Sequence, residues 1–166
     1  MNVYQFLYLE DKTTMGMFTS INIAATGMSA ERLRSDVISD NIANASTTRT
    51  QEGGAFKKST VIMRPVADSK PQWNYPFSSD IMDRGPGKGV KVIEIVKDTT
   101  QGRLVYDPDH PDAIKSGPNK GYVEYPNVNI VNEMVDLISA SRAYEANATV
   151  IDGAKDMFSA ALDIGR

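Results

Sequence analysis

The residues best suited to chemistry lie in one short run, Asp107-Pro108-Asp109-His110-Pro111-Asp112, where three carboxylates surround the only histidine of the chain. Carboxylates and an imidazole are the donor types of a divalent-metal site or of a general acid–base pair. Two prolines within the run and the turn preference of aspartate favour tight turns instead, and no second ligand cluster stands elsewhere in the sequence. A metal-dependent hydrolase is accordingly the least favoured reading. The stretch Arg84-Gly85-Pro86-Gly87-Lys88-Gly89 has the glycines and lysine of a phosphate loop, but it precedes a strand pattern, whereas a phosphate site needs the free amides that open a helix. Lys57-Lys58 and Ser78-Ser79-Asp80 have no partners at usable spacing and read as solvated surface. Absent cysteine removes disulfides, thiolate metal sites and cysteine nucleophiles, and 18 basic against 21 acidic residues, net −3, argues against a nucleic-acid binder. The sequence therefore predicts no catalytic residue, no cofactor, no metal, no small-molecule substrate and no nucleic acid.

What must be positioned is then a set of surfaces, and proline shows where the elements lie. All 8 prolines of the 166 residues fall between Pro65 and Pro126, so proline-free ends bracket a turn-rich middle. No apolar run is long enough to span a bilayer as a helix. The first residues have no basic region ahead of an apolar stretch and do not read as a signal peptide.

The C-terminal end carries the strongest pattern. Ile130, Met134, Leu137, Ser141, Tyr144, Ala148, Ile151, Lys155, Phe158 and Leu162 follow alternating steps of four and three, a heptad seam, with Val135, Ile138, Val150, Ala154, Met157 and Ala161 widening it. Asn129 is placed to cap the start, and Gly165 to follow the end. A helix over 129–164 would be about 54 Å long, longer than a compact globule of this size is wide, so its seam predicts cover by another helix. At the other end Phe18, Ile21, Ala25 and Met28, then Ala30, Leu33, Val37, Ile38 and Ile42, follow helical spacing, with Thr19 or Ser20 as cap and an end near Asn44. The two helices can pair parallel or antiparallel, or with neighbouring molecules. Between them, Phe56–Met63, Gly89–Val96, 104–106 and 122–125 read as strands, and 66–88, with Trp73, Tyr75 and Phe77, as a long connection. The expected class is α+β: long terminal helices pairing as a coiled-coil-like core (17–45 and 129–166), with a small β-rich domain (46–128) between them.

Both ends also carry a resemblance. Residues Ile38-Ser39-Asp40-Asn41-Ile42-Ala43-Asn44-Ala45-Ser46-Thr47-Thr48 resemble the N-terminal motif of the bacterial flagellar basal-body rod and hook family. The segment from Gly121 to Asn129, followed by Glu133-Met134-Val135-Asp136 and Ala140-Ser141-Arg142-Ala143-Tyr144-Glu145-Ala146-Asn147, is similar to proximal-rod members of that family. The resemblance covers 17–166 and leaves 1–16 as an extension, disordered or a non-native start, with Met15 and Met17 as alternative starts. It implies a structural, non-enzymatic axial subunit, located in the periplasmic rod of the basal body. Its partners would be copies of itself, neighbouring rod proteins and MS-ring or rod-base adaptors. It would be exported uncleaved by the flagellar type III apparatus. Asn41, Asn44, Thr47, Tyr144, Glu145 and Asn147 would be packing residues. The apolar positions Phe18, Ile21, Ala25, Met28, Leu33, Val37 and Ile42 on one helix, and the seam from Ile130 to Leu162 on the other, would be assembly contacts. Alternatives are another rod subunit, or a soluble coiled-coil adaptor or export chaperone.

Overall fold

A computed structural model describes residues 17–66 and 87–165; the expectations for 1–16 and for most of the 66–88 connection lie outside them. The element order is α1 (Met17–Ala43), β1 (Ser59–Pro65), β2 (Val90–Lys97), β3 (Arg103–Tyr106), β4 (Tyr122–Tyr125) and α2 (Ile130–Ile164). The class is α+β, as the sequence predicts, with long helices at both ends and two small sheets between them. Strand boundaries differ from the periodicity by a residue or a few. Thr19 and Ser20 lie inside α1 and are not its cap, because the helix already begins at Met17. Asn129 does cap α2, its Oδ1 accepting from Val131 N at 3.0 Å.

The chain divides into two compact units, and each helix passes through both. One unit holds 17–30, 64–66, 87–91 and 144–165 of the described residues. There α1 and α2 run antiparallel: Phe18 meets Phe158 with ring centroids 6.5 Å apart, and Gly27 sits against Asn147. Among the described residues of this unit the buried apolar side chains are Ala24, Ala30 and Ala154. Thr26 ties the start of β2 to α1, its Oγ1 accepting from Val90 N at 3.2 Å.

The other unit is Glu31–Met63 with Val92–Ala143. Here too the helices are antiparallel, with Arg34 facing Asp136 and Asn41 facing Glu133. Ile38, Val123 and Ala140 are buried. β3 and β4 pair antiparallel with Arg103 opposite Tyr125 and Tyr106 opposite Tyr122, and the last two rings pack edge to face at 5.2 Å. β1 and β2 form the second two-stranded sheet.

The seam that α2 turns toward α1 differs from the row of greatest apolar content. Glu133, Ala140 and Ala154 are buried and Asn147 is half-buried against Gly27, whereas Ile130, Met134, Ser141 and Leu162 of the expected row are exposed. Ala140 and Ala154 sit inside because side chains that stop at Cβ let helix backbones approach closely, whereas Glu133, a large side chain, is held inside by its polar partners Asn41 and Lys58.

Candidate assembly surface

A polar node forms where α1 ends. Ser59 N donates to Asn41 Oδ1 at 2.9 Å, and Asn41 Nδ2 donates to Ser59 O at 2.9 Å and to Glu133 Oε2 at 3.1 Å. Lys58 pairs with Glu133 Oε1. Asn41 and Glu133 are each only 1% exposed, so both need these partners. Lys58 is thus not the solvated surface residue the sequence suggested; a partner 75 residues away in sequence was invisible to local spacing.

The rest of the N-terminal motif shapes the chain as it leaves α1. Asn44 Nδ2 donates to Asp40 O at 3.0 Å and to Asp40 Oδ1 at 2.9 Å, and Thr47 Oγ1 donates to Asn44 Oδ1 at 3.2 Å. Thr48 Oγ1 then donates to Asp112 Oδ2 at 2.8 Å, with Arg49 3.7 Å from the other oxygen. His110 is likewise engaged, its Nδ1 accepting from Asp112 N at 3.1 Å. The carboxylate–histidine run therefore serves as a turn that receives the 47–49 segment. Among the described residues no group of three or more metal-ligating side chains converges.

One further carboxylate is tuned by its loop. After β2, Thr100 donates both its hydroxyl, at 2.6 Å, and its backbone N–H, at 2.9 Å, to Asp98 Oδ1. These bonds, the hydroxyl first, favour the ionised form and hold the Asp98 pKa below its ordinary value. The loop lines a polar cleft with 53–58 and with Glu124, Tyr125 and Asn127.

The outward surfaces carry the large apolar side chains. In the unit holding 92–143, Ile130, Val131, Met134, Val135 and Ile138 are all exposed, Val131 by 68% and Val135 by 58%. By spacing Val131, Val135 and Ile138 lie on the side of α2 away from buried Glu133 and Ala140, with Met134 and Ile130 on its flank. In the other unit Val150, Met157, Phe158, Leu162 and Ile164 are exposed on α2, and Phe18 on α1. Of the remaining expected contacts, Ala25, Ser141, Tyr144 and Glu145 are exposed, while Ile21, Met28, Leu33, Val37, Ile42, Leu137, Asn147, Ala148 and Ile151 are half-buried. Val131, which the sequence reading did not name, is exposed beside Val135 and Ile138, which it did. Glu133, Lys58 and Gly27 were missed as site residues; the signal for Glu133 was a carboxylate within an otherwise apolar stretch of helix.

Comparison with known proteins gives this arrangement a family. Residues 21–51 match the family model of flagella basal body rod proteins, and 119–164 match the C-terminal model of the flagellar basal body rod FlgEFG proteins. The chain is 57% identical over 150 residues to the flagellar basal-body rod protein FlgC of Borreliella burgdorferi, covering 90% of this chain and 98% of that one. It is 38% identical over 157 residues to FlgC of Bacillus subtilis, covering 92% and 100%. FlgC of Salmonella typhimurium is 30% identical over 155 residues, with 92% and 100% covered. The first matched segment ends just past Thr48 and the second spans β4 and α2, so together they hold most of the helix pair and, of the polar node, Asn41 and Glu133. With relatives this similar aligned over nearly their full lengths, the chain belongs to the FlgC family of flagellar basal-body rod proteins.

Proposed function

We propose that the chain is a structural subunit of the proximal rod of the bacterial flagellum. It joins copies of itself, neighbouring rod proteins and the MS-ring or rod-base adaptors through its terminal helices. Its work in this reading is mechanical and involves no reaction: contacts between subunits make a shaft stiff enough to carry torque. The helices of 17–45 and 129–166 form the axial part and 46–128 the outer, β-rich part. The protein reaches the periplasmic rod through the flagellar type III export apparatus without cleavage of a signal peptide.

The observation that carries this reading is the exposed apolar face of α2 over Ile130, Val131, Met134, Val135 and Ile138. A chain that worked alone would leave this face in water; full burial of such a side chain contributes about 1.5 to 3 kcal/mol, and these, 46% to 68% exposed, forgo roughly half of it. The names of its relatives supply the partner class. Electron cryotomography of motors in a deletion strain tests it. Loss of the rod, restored by the wild-type gene, is the expected result; complete rods without the protein would overturn it.

A further inference from the structure

Oxidisable sulfur in this chain is confined to thioethers, since it has 8 methionines and no cysteine. Among the described side chains, methionine stands at 28, 63, 134 and 157. Met28 on α1 and Met63 on β1 are half-buried, whereas Met134 and Met157, both on α2, are 53% and 65% exposed. Methionine is among the residue types most often found inside a folded chain, where its unbranched stem bends to fill gaps in a core. Two thioethers that stand in water on one helix are open to any small oxidant that reaches the protein.

The two differ in what surrounds them. Three and four residues from Met134, one turn away along α2, are Ile130, Val131 and Ile138, each a large apolar side chain exposed as Met134 is. Around Met157, in the other unit, the corresponding positions hold Gly153, Ala154, Ala160 and Ala161, which end at or before Cβ. Oxygen added at Met157 therefore meets no large apolar neighbour on its own helix, whereas oxygen added at Met134 lands in the apolar face.

We propose that Met134 is a site of reversible oxidation that closes the outward face of α2: as a thioether it belongs to the apolar patch, and as a sulfoxide it sets a polar group into it. The oxidant is a peroxide. The sulfur lone pair attacks one peroxide oxygen, an S–O bond forms as the O–O bond breaks, sulfur loses two electrons, and hydrogen peroxide is reduced to water. No net charge is added, but the sulfoxide oxygen is an acceptor, and the side chains of Ile130, Val131 and Ile138 have no donor to offer it. A neighbour that covers the face with apolar groups must bury this oxygen unpaired. Methionine sulfoxide reductases return the thioether, so the mark is erasable. The effect on assembly rests on the function proposed above, in which a neighbour covers the face and the sulfur is open only beforehand; the reactivity of the isolated chain does not.

The test has two parts. Hydrogen peroxide is added to the purified full chain, and the sulfoxide fraction at each methionine is followed by peptide mass spectrometry. Met134 and Met157 should oxidise several-fold faster than Met28 and Met63; equal rates at the four positions would overturn the site. The consequence is read in cells that make only a variant chain. Met134→Leu, apolar and without sulfur, should swim. Met134→Gln, close to methionine in length and polar as the sulfoxide is, should lose most of its swimming while the purified protein melts with the parent. A Met134→Gln strain that swims as the parent does would overturn the switch. Val131→Lys with Ile138→Lys then tells the two failures apart. If the lysine pair stops swimming, the face is an interface that tolerates a polar group at 134, and the switch alone is wrong. If the lysine pair swims too, the assembly reading of this face falls with it.

Discussion

Asn41 pairs with both backbone groups of Ser59, accepting from its N–H and donating to its carbonyl, each at 2.9 Å. One carboxamide does for the first residue of β1 what a neighbouring strand would do, and its remaining N–H is spent on Glu133. Asn41→Ala should therefore orphan two backbone groups and weaken a buried carboxylate at once. The expected loss is about 3 kcal/mol, a fall in melting temperature of roughly 10 °C. Asn41→Asp, nearly the same shape, should do more damage by setting a second carboxylate against Glu133. A thermal melt of the three proteins checks the order.

The ion pair beneath that node gives a second expectation. Lys58→Met should leave Glu133 buried without its cation and cost about 2 to 3 kcal/mol, discounted because the lysine is partly exposed. Adding Glu133→Gln removes the charge and keeps an acceptor for Asn41, so the double variant should recover most of the loss. Urea unfolding of the single and double variants measures it; a double variant no more stable than Lys58→Met would contradict the coupling.

How much of this could be read in advance depends on where the information lies. Proline confined to 65–126 and heptad spacing after Asn129 gave both helices and the four strands, because helix propagation and strand alternation are local rules. The motif residues Asn41, Asn44 and Thr47 were visible as a cluster, but not what they bind. Asp40 is a neighbour of Asn44 one turn earlier in α1, but Ser59 and Glu133 become partners of Asn41 only when the chain folds back. Counting apolar residues along α2 does not show which of its side chains turn toward α1. Burial of Glu133 and Asn147 on the inside, with Val131 and Ile138 outside, depends on how closely the helices approach, and no count along one helix contains that distance.

Asp98 offers a check by titration. Its folded pKa lies below the ordinary 3.8, chiefly through the Thr100 hydroxyl and then the Thr100 N–H. Because the folded value is depressed, the stabilisation is present above the unfolded pKa and disappears as pH falls through the lower, folded one. Carbon-detected NMR should place the Asp98 midpoint below that of an ordinary aspartate, and Thr100→Val should raise it. An unchanged midpoint in the variant would remove the hydroxyl as the leading cause.

Alanine in the seam has a dynamic consequence. Small side chains bury little apolar area, and isolated helices draw most of their stability from such burial. In the unassembled chain, amide exchange at 17–30 and 150–164 should thus be faster than at Val123, which is buried in β4. Exchange at Ala154 as slow as at Val123 would show the helix pair to be stable by itself.

The last expectation separates the two sides of α2. Val131 and Ile138 lie seven residues apart on the exposed face, so Val131→Lys with Ile138→Lys places two charges in water and should change the stability of the isolated chain by no more than about 1 kcal/mol. Ile151 lies half-buried on the seam side, near Asn147 and Ala154, so Ile151→Asp should destabilise the isolated chain by about 3 kcal/mol. Both variants should abolish motility, but for different reasons: the lysine pair by blocking a neighbour from the outward face, the aspartate by loosening the helix pair itself. Melting curves of the purified proteins and swimming in soft agar, taken together, distinguish the cases. A strain carrying Val131→Lys and Ile138→Lys that swims normally would show that this face meets no neighbour in the rod, and the apolar patch would then need another explanation.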